Sequence, residues 1–116
     1  MDRFEAMWSI MGEFQYVLEE NGTIIGFFDI SNPREQYAPF EVCGLYLRKA
    51  YQGKGYGKAV MQFIKNKIHQ SFYLWCLSTN PTCGFYKHMG GKEIASKEEM
   101  IGERQETEVC FLFENN

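Results

Sequence analysis

Apolar positions along this chain change period several times, and each change marks an element. Phe4, Met7, Trp8 and Met11 recur at steps of three and four, which predicts a short amphipathic helix over residues 2–11 ending near Gly12. Residues 14–19 alternate instead, run into Asn21-Gly22, and are followed by a second strand over 23–30. Asn-Gly between two such runs predicts a tight antiparallel hairpin, because a type I′ turn requires positive φ at both central residues. Residues 31–39 carry two prolines and mixed charges and read as a loop, after which residues 40–47 (FEVCGLYL) return to strand. Glycines at 53, 55 and 57 precede a helical stretch over 58–69, with Val60, Phe63, Ile64 and Ile68 on one face.

Residues 72–77 form an unbroken apolar run, as a central strand covered on both faces requires. Asn80-Pro81 offers an N-cap side chain and then proline at the first helical position, so a helix is predicted over 82–89, stopped by Gly90-Gly91. Two last strands, about 92–96 and 106–113, flank a polar loop around Gly102. The predicted order is α-β-β-β-α-β-α-β-β. The fold class is therefore α/β (α+β), with a single mixed, mostly antiparallel sheet flanked by helices. The unit over 40–77 is expected to be a right-handed parallel crossover. It sets the glycine turn at the carboxyl end of a central strand, where open α/β sheets bind ligands. A length of 116 residues is expected to give one domain over 1–116.

Composition narrows the function classes. The chain is 45% hydrophobic and 16% aromatic, enough to bury a core. A net charge of −3 offers no basic footprint for phosphate backbones, so nucleic acid is not an expected partner, and a cationic amine suits the balance better. Cys43, Cys76, Cys83 and Cys110 form no close pair, and no metal is expected. The first residues carry acids where a secretory signal needs a basic start, and no apolar run approaches a membrane span, so the expected setting is the cytoplasm without membrane attachment.

The chemistry concentrates in Gln52-Gly53-Lys54-Gly55-Tyr56-Gly57-Lys58. A glycine-rich turn running into a helix converges several backbone N–H groups, and the helix dipole adds positive potential, so the segment reads as an anion site. A Walker A loop is disfavoured, because Gln52 stands where its first glycine belongs and Ala59 where its hydroxyl belongs. The dinucleotide fingerprint fails as well, with Lys58 in place of its last glycine. Judged on glycine content alone, a tight turn with a helix cap remains an open reading.

Gln52-x-x-Gly55-x-Gly57 resembles the Q/R-x-x-G-x-G/A signature of the GNAT acetyltransferases, and it sits after an apolar strand and at the start of an amphipathic helix, as in that family. Downstream, Asn80-Pro81 with Phe85-Tyr86 and Met89-Gly90 is similar to the family's N-P-x-x-x-F-Y-x-x-x-G segment. The resemblance spans about residues 15–113. It implies an N-acetyltransferase that takes acetyl-CoA as cosubstrate and a small-molecule or peptide amine as acceptor, by direct attack in a ternary complex. Backbone groups of Leu45, Tyr46 and Leu47 match the stretch that pairs with the pantetheine arm, and Gln52, Gly53, Lys54, Gly55, Tyr56, Gly57 and Lys58 match the pyrophosphate cradle. Gly44 reads either as a bulge that loosens strand pairing there or as a packing glycine. Asn80 matches a contact to the cofactor arm, and the Tyr46 N–H an oxyanion donor.

Two side chains match the family's catalytic positions. Tyr86 corresponds to the tyrosine near the cofactor sulfur, an acid for the leaving thiolate, against the plainer reading of a core aromatic with a bonded hydroxyl. Glu41 corresponds to the glutamate base, and its apolar neighbours are expected to raise its pKa by desolvation. A solvent-facing strand residue is the competing reading for Glu41. The family usually begins with a further strand and helix, so the expected fold lacks them, which leaves the chain shortened, naturally short, or covered by a second copy. An apolar face near Phe4, Trp8 and Met11 then predicts a homodimer. Two other functions stay open: an acetyl-CoA-binding domain without catalysis, and an interaction module that keeps only the fold. Loops 31–39 and 98–106 are expected to set the acceptor.

Overall fold

The first turn of the sheet follows directly from two residues. In the computed structural model, which describes residues 8–10 and 15–115, Asn21 and Gly22 take φ of 52° and 82°. That is the type I′ geometry Asn-Gly favours, and it joins β2 (Gln15–Glu20) to β3 (Thr23–Ser31) in register, Glu20 opposite Thr23. β4 (Phe40–Leu47) returns antiparallel to β3. A single 3-10 turn over Lys49–Tyr51 and the glycine segment lead into α1 (Tyr56–Lys67), then β5 (Phe72–Leu77), α2 (Thr82–His88), β6 (Lys92–Ile101) and β7 (Arg104–Phe113). The strand order is β1-β2-β3-β4-β5-β7-β6, with β1 (Trp8–Ile10) at one edge. Among the described residues, only β4 and β5 run parallel.

Two expectations are corrected. Residues 8–10 pair antiparallel with β2, Trp8 opposite Leu18 and Ile10 opposite Tyr16, so this stretch of the expected helix is strand and the sheet does not begin at residue 15. An apolar-polar-apolar triplet satisfies a two-residue period as well as a helical one, and pairing with the edge of β2 decides between them. The rest of that helix, and the side chains of the apolar face proposed for a dimer, lie outside the described residues. The second correction is at the far edge. The loop expected over 98–106 is a hairpin: β6 and β7 pair to Ile101 opposite Arg104, leaving Gly102 (φ 64°) and Glu103 as its turn. Cross-strand polar pairs hold it: Thr107 donates to Glu98, and Lys97 faces Glu108 at 4.0 Å. Such a charged edge strand shows no apolar alternation to read.

Both helices pack on one face of the sheet. Val60, Met61 and Ile64 of α1 and Tyr86 of α2 share a buried cluster with Phe28, Val42, Phe72, Leu74, Phe111 and Phe113. Gly57 sits so close to Phe85 that a Cβ would lie 3.1 Å from Cζ, which brings the two helices together. α2 stops as predicted, Gly90 taking φ of 103° while the Gly91 N–H donates to the Tyr86 carbonyl at 2.8 Å. On the opposite face stand Glu41, Cys43, Tyr73, Trp75, Glu108 and Cys110, one strand register apart. The 32–39 loop folds over part of that face: the Glu35 N–H donates to the Tyr73 hydroxyl at 2.8 Å, and the Tyr37 ring meets the Tyr73 ring edge-on at 5.3 Å.

Candidate functional site

β4 and β5 part almost as soon as they meet. Their ladder consists of Phe40–Phe72 and Glu41–Tyr73, yet the strands continue to Leu47 and Leu77. On the other side of β4, pairing with β3 passes from Tyr46 to Cys43 while β3 moves from Phe27 to Asp29, so Gly44 and Leu45 together oppose Phe28. That is a bulge, and Gly44 supplies the positive φ (63°) it needs. The bulge bends β4 away from β5 and opens a cavity of about 320 Å³ lined on one side by Val42, Leu74, Cys76, Asn80 and Tyr86 and on the other by Arg34, Glu41, Cys43, Trp75 and Glu108. Because the two sets project from opposite faces of the sheet, the cavity passes between the strands.

The glycine segment lies beyond the end of β4. Gly53 (φ 73°) and Gly55 (φ 89°) hold conformations that L side chains resist, and Gly55 is the N-cap of α1. No side chain caps that helix and its first turn has no acid, so the positive end of the dipole is left uncompensated. Lys54 and Lys58 are exposed, with no acid paired to either among the described residues. Gln52 donates Nε2–H to the Leu47 carbonyl at 2.8 Å and so clamps the turn to the strand. Tyr56 is buried and its hydroxyl donates to Glu20, which leaves its backbone to face the turn. A Cβ at Gly53 would have nothing within 4 Å, so its absence keeps open the approach to the backbone.

Glu41 and Tyr86 come to the same cavity from opposite faces. Glu41 is 1% exposed. Its carboxylate accepts from Arg34 Nη2 at 2.6 Å, from Nε at 3.2 Å and from the residue 34 backbone N–H at 3.1 Å, and Tyr73 stands at 3.4 Å. Desolvation pushes its pKa up, but the Arg34 hydrogen bonds and charge outweigh it, and the net shift is downward. The upward shift expected from an apolar strand is thereby corrected, because Arg34 folds back across seven residues, a contact that no local pattern marks. The solvent-facing alternative is excluded by its burial.

Tyr86 is 6% exposed, and no partner for its hydroxyl is found among the described residues; because no fully buried side-chain polar atom there is left unpaired, that oxygen opens onto the cavity that Tyr86 lines. Burial, helped by the Cys76 and Cys83 thiols, pushes the phenol well up. Asn80 Oδ1 accepts the Thr82 N–H at 2.9 Å where α2 begins, although Pro81 and not Asn80 is the N-cap residue, and Asn80 lines the cavity. Leu45 lines the cavity as well, while Tyr46 and Leu47 continue the strand edge that β5 leaves. His69 and His88 are exposed. Arg34, Trp75 and Glu108 were not singled out from sequence. Alternation along β5 and β7 would have put Trp75 and Glu108 on one face, but nothing local marks the gap they border.

The sequence profile of the acetyltransferase (GNAT) domain matches residues 12–90, most of the chain. No curated protein matches it in sequence. Among solved structures, yncA from Salmonella typhimurium with its cofactor acetyl-CoA is similar with a TM-score of 0.75 at 18% identity, over 88% of this chain and 64% of that one. The ribosomal-protein-S18-alanine N-acetyltransferase from Escherichia coli gives 0.73 at 16%, over 90% and 71%. The IAA acetyltransferase from Bacillus cereus ATCC 14579 gives 0.68 at 16%, over 86% and 76%. These likenesses establish the fold, and the profile covers both the parted strands and the glycine turn. The chain belongs to the GNAT acetyltransferase family.

Proposed function

We propose that this protein transfers the acetyl group of acetyl-CoA to a primary amine, with both substrates held at the gap between β4 and β5. The observation that carries the proposal is that gap, with an unpartnered tyrosine hydroxyl on one side and a carboxylate on the other. The residues present fit acetyl-CoA. The free edge of β4 at Leu45, Tyr46 and Leu47 suits an extended arm that takes backbone hydrogen bonds as a strand would. Gln52 to Lys58 suit a pyrophosphate, through backbone N–H groups at Gly53, Gly55, Tyr56 and Gly57, the Gln52 clamp, and the charges of Lys54 and Lys58. Asn80 Nδ2 is a donor toward the arm.

When bound, acetyl-CoA supplies an acyl carbon open to attack and a sulfur that leaves with the electron pair. Tyr86 Oη holds a proton for that sulfur: a phenol whose pKa is raised stays neutral throughout the physiological range and so is an acid and not a base. Glu41 remains ionised and faces the acceptor side, where its charge draws the ammonium in and accepts the nitrogen's proton through water. The Tyr46 N–H is the candidate donor for charge developing on the acyl oxygen.

A second reading, acetyl-CoA binding without turnover, has one observation in its favour: both Glu41 oxygens are already engaged by Arg34. Incubation with acetyl-CoA and a panel of amines, reading thiol release and acetylated product by mass spectrometry, separates the two. Amine-dependent thiol release that falls in Tyr86→Phe supports transfer. Binding without amine-dependent release in the wild type supports the second reading.

A further inference from the structure

At the rim of the cavity an alkylammonium of the protein itself sits against an aromatic ring and a carboxylate. Lys97 projects from β6 across β7, and its Nζ lies 4.3 Å from the centre of the Trp75 ring and 4.0 Å from Glu108 Oε1. Trp75 and Glu108 both line the cavity, whereas Lys97 stands at its rim. The indole is fixed for this contact: its Nε1–H donates to Glu35 Oε1 at 3.2 Å, and Tyr37 packs against it at 6.4 Å, so its plane is held with one face toward the lysine. An indole face with a carboxylate beside it is a receptor for a primary ammonium, the cation–π and charge terms acting on the same nitrogen.

We propose, resting on the acetyl-transfer reading, that Trp75 and Glu108 form the subsite for the acceptor's ammonium group, with Lys97 as an internal occupant the substrate displaces.

Charge and exposure favour exchange. Lys97 is 34% exposed and Glu108 19%, so the lysine can swing to solvent while the carboxylate stays. Glu99 nearby, together with burial, raises the Glu108 pKa, while Lys97 and Arg34 oppose that. The half-buried Lys97 balances the Glu108 carboxylate, and when Lys97 leaves, an incoming ammonium restores the charge. The same cavity carries the Tyr86 hydroxyl on its other face, open to it and without a partner among the described residues. Entry over Trp75 brings an amine to the carboxylate face of the sheet, opposite Tyr86, as direct attack requires. The 32–39 loop contributes through Glu35, which sets the indole.

The test uses n-butylammonium as probe and n-butanol as its uncharged counterpart. The readout is the indole N–H signal of Trp75 in ¹H–¹⁵N spectra, identified by its loss in Trp75→Phe. The subsite predicts a saturable shift with n-butylammonium and none with n-butanol. Glu108→Gln should weaken that binding about tenfold, the usual scale for losing a charged hydrogen-bond partner. Lys97→Met should tighten it, since the competing ammonium is gone. All variants should keep wild-type affinity for acetyl-CoA, measured separately by calorimetry. Equal responses to the two probes, unchanged affinity in Glu108→Gln, or weaker binding in Lys97→Met would each overturn the subsite. If acetyl-CoA does not bind the wild type while the n-butylammonium titration behaves as expected, the ammonium site stands and the transferase reading falls.

Discussion

Replacing Arg34 by methionine should separate the structural from the chemical part of Glu41. The substitution keeps most of the apolar stem and the backbone N–H that reaches Glu41 at 3.1 Å, but removes the guanidinium bonds at 2.6 and 3.2 Å. A hydrogen bond to a charged partner contributes about 1.5–3 kcal/mol when buried. Arg34 is 62% exposed, however, so water screens its end of the pair and the net loss should be nearer about 1–2 kcal/mol. For a chain of this size that is roughly 4–8 °C in Tm at neutral pH.

The pH dependence follows from the direction of the shift. Glu41's folded pKa lies below its ordinary value, so the stabilisation from Arg34 is complete above the unfolded pKa of about 4.3 and is lost as pH falls through the folded value. Thermal melts of wild type and Arg34→Met from pH 7 to pH 3 should therefore show a Tm gap that closes below about pH 4. In the variant, desolvation is opposed only by the remaining neutral donors, and the Glu41 pKa should rise, moving the acid limb of the rate profile upward. A gap of the same size at pH 3 and pH 7 would refute the account, because it would mean that Arg34 contributes by packing and not by holding a charge.

Other substitutions test the remaining parts of the site. Tyr86→Phe removes a hydroxyl with no partner, so unfolding free energy by urea titration should change by less than about 0.5 kcal/mol, while kcat falls about 100-fold if the phenol is the acid. Gly44→Val forces a β-branched residue to a φ of 63° and should cost about 1–2 kcal/mol; by straightening β4 it should also weaken acetyl-CoA binding, read by calorimetry. The Glu108→Gln and Lys97→Met titrations with n-butylammonium complete the set.

Much of the fold was legible because its signals are local. Asn21-Gly22 needs only its own φ preferences to make a hairpin, and Gly90-Gly91 stops α2 by the same logic. The unbroken run over β5 announces cover on both faces, and the glycines at 53 and 55 announce a backbone held for close approach. What the sequence hid depends on partners far along the chain. Trp8–Ile10 became strand because β2 offered an edge. The β6–β7 hairpin is longer than its apolar residues suggest because charged cross-strand pairs hold its outer half. At the site, Glu41 and Tyr86 came from the resemblance to the family's motifs, but the state of Glu41 was set by Arg34, which no spacing rule connects to it. Trp75 and Glu108 acquire meaning only from the register that aligns β5, β7 and β6.

The claim beneath all of this is that the turn preceding α1 binds the pyrophosphate of acetyl-CoA. The direct measurement is calorimetric titration of acetyl-CoA into wild type, Gly55→Asp and Gly55→Asn. Asparagine and aspartate both tolerate a left-handed φ and both suit a helix N-cap, so neither should unfold the turn, but aspartate puts its own anion where phosphate would sit. Saturable binding to the wild type, mildly weaker in Gly55→Asn and weaker again by about tenfold or more in Gly55→Asp, is the predicted result. Equal affinities in the aspartate and asparagine variants, or no binding to the wild type, would contradict it.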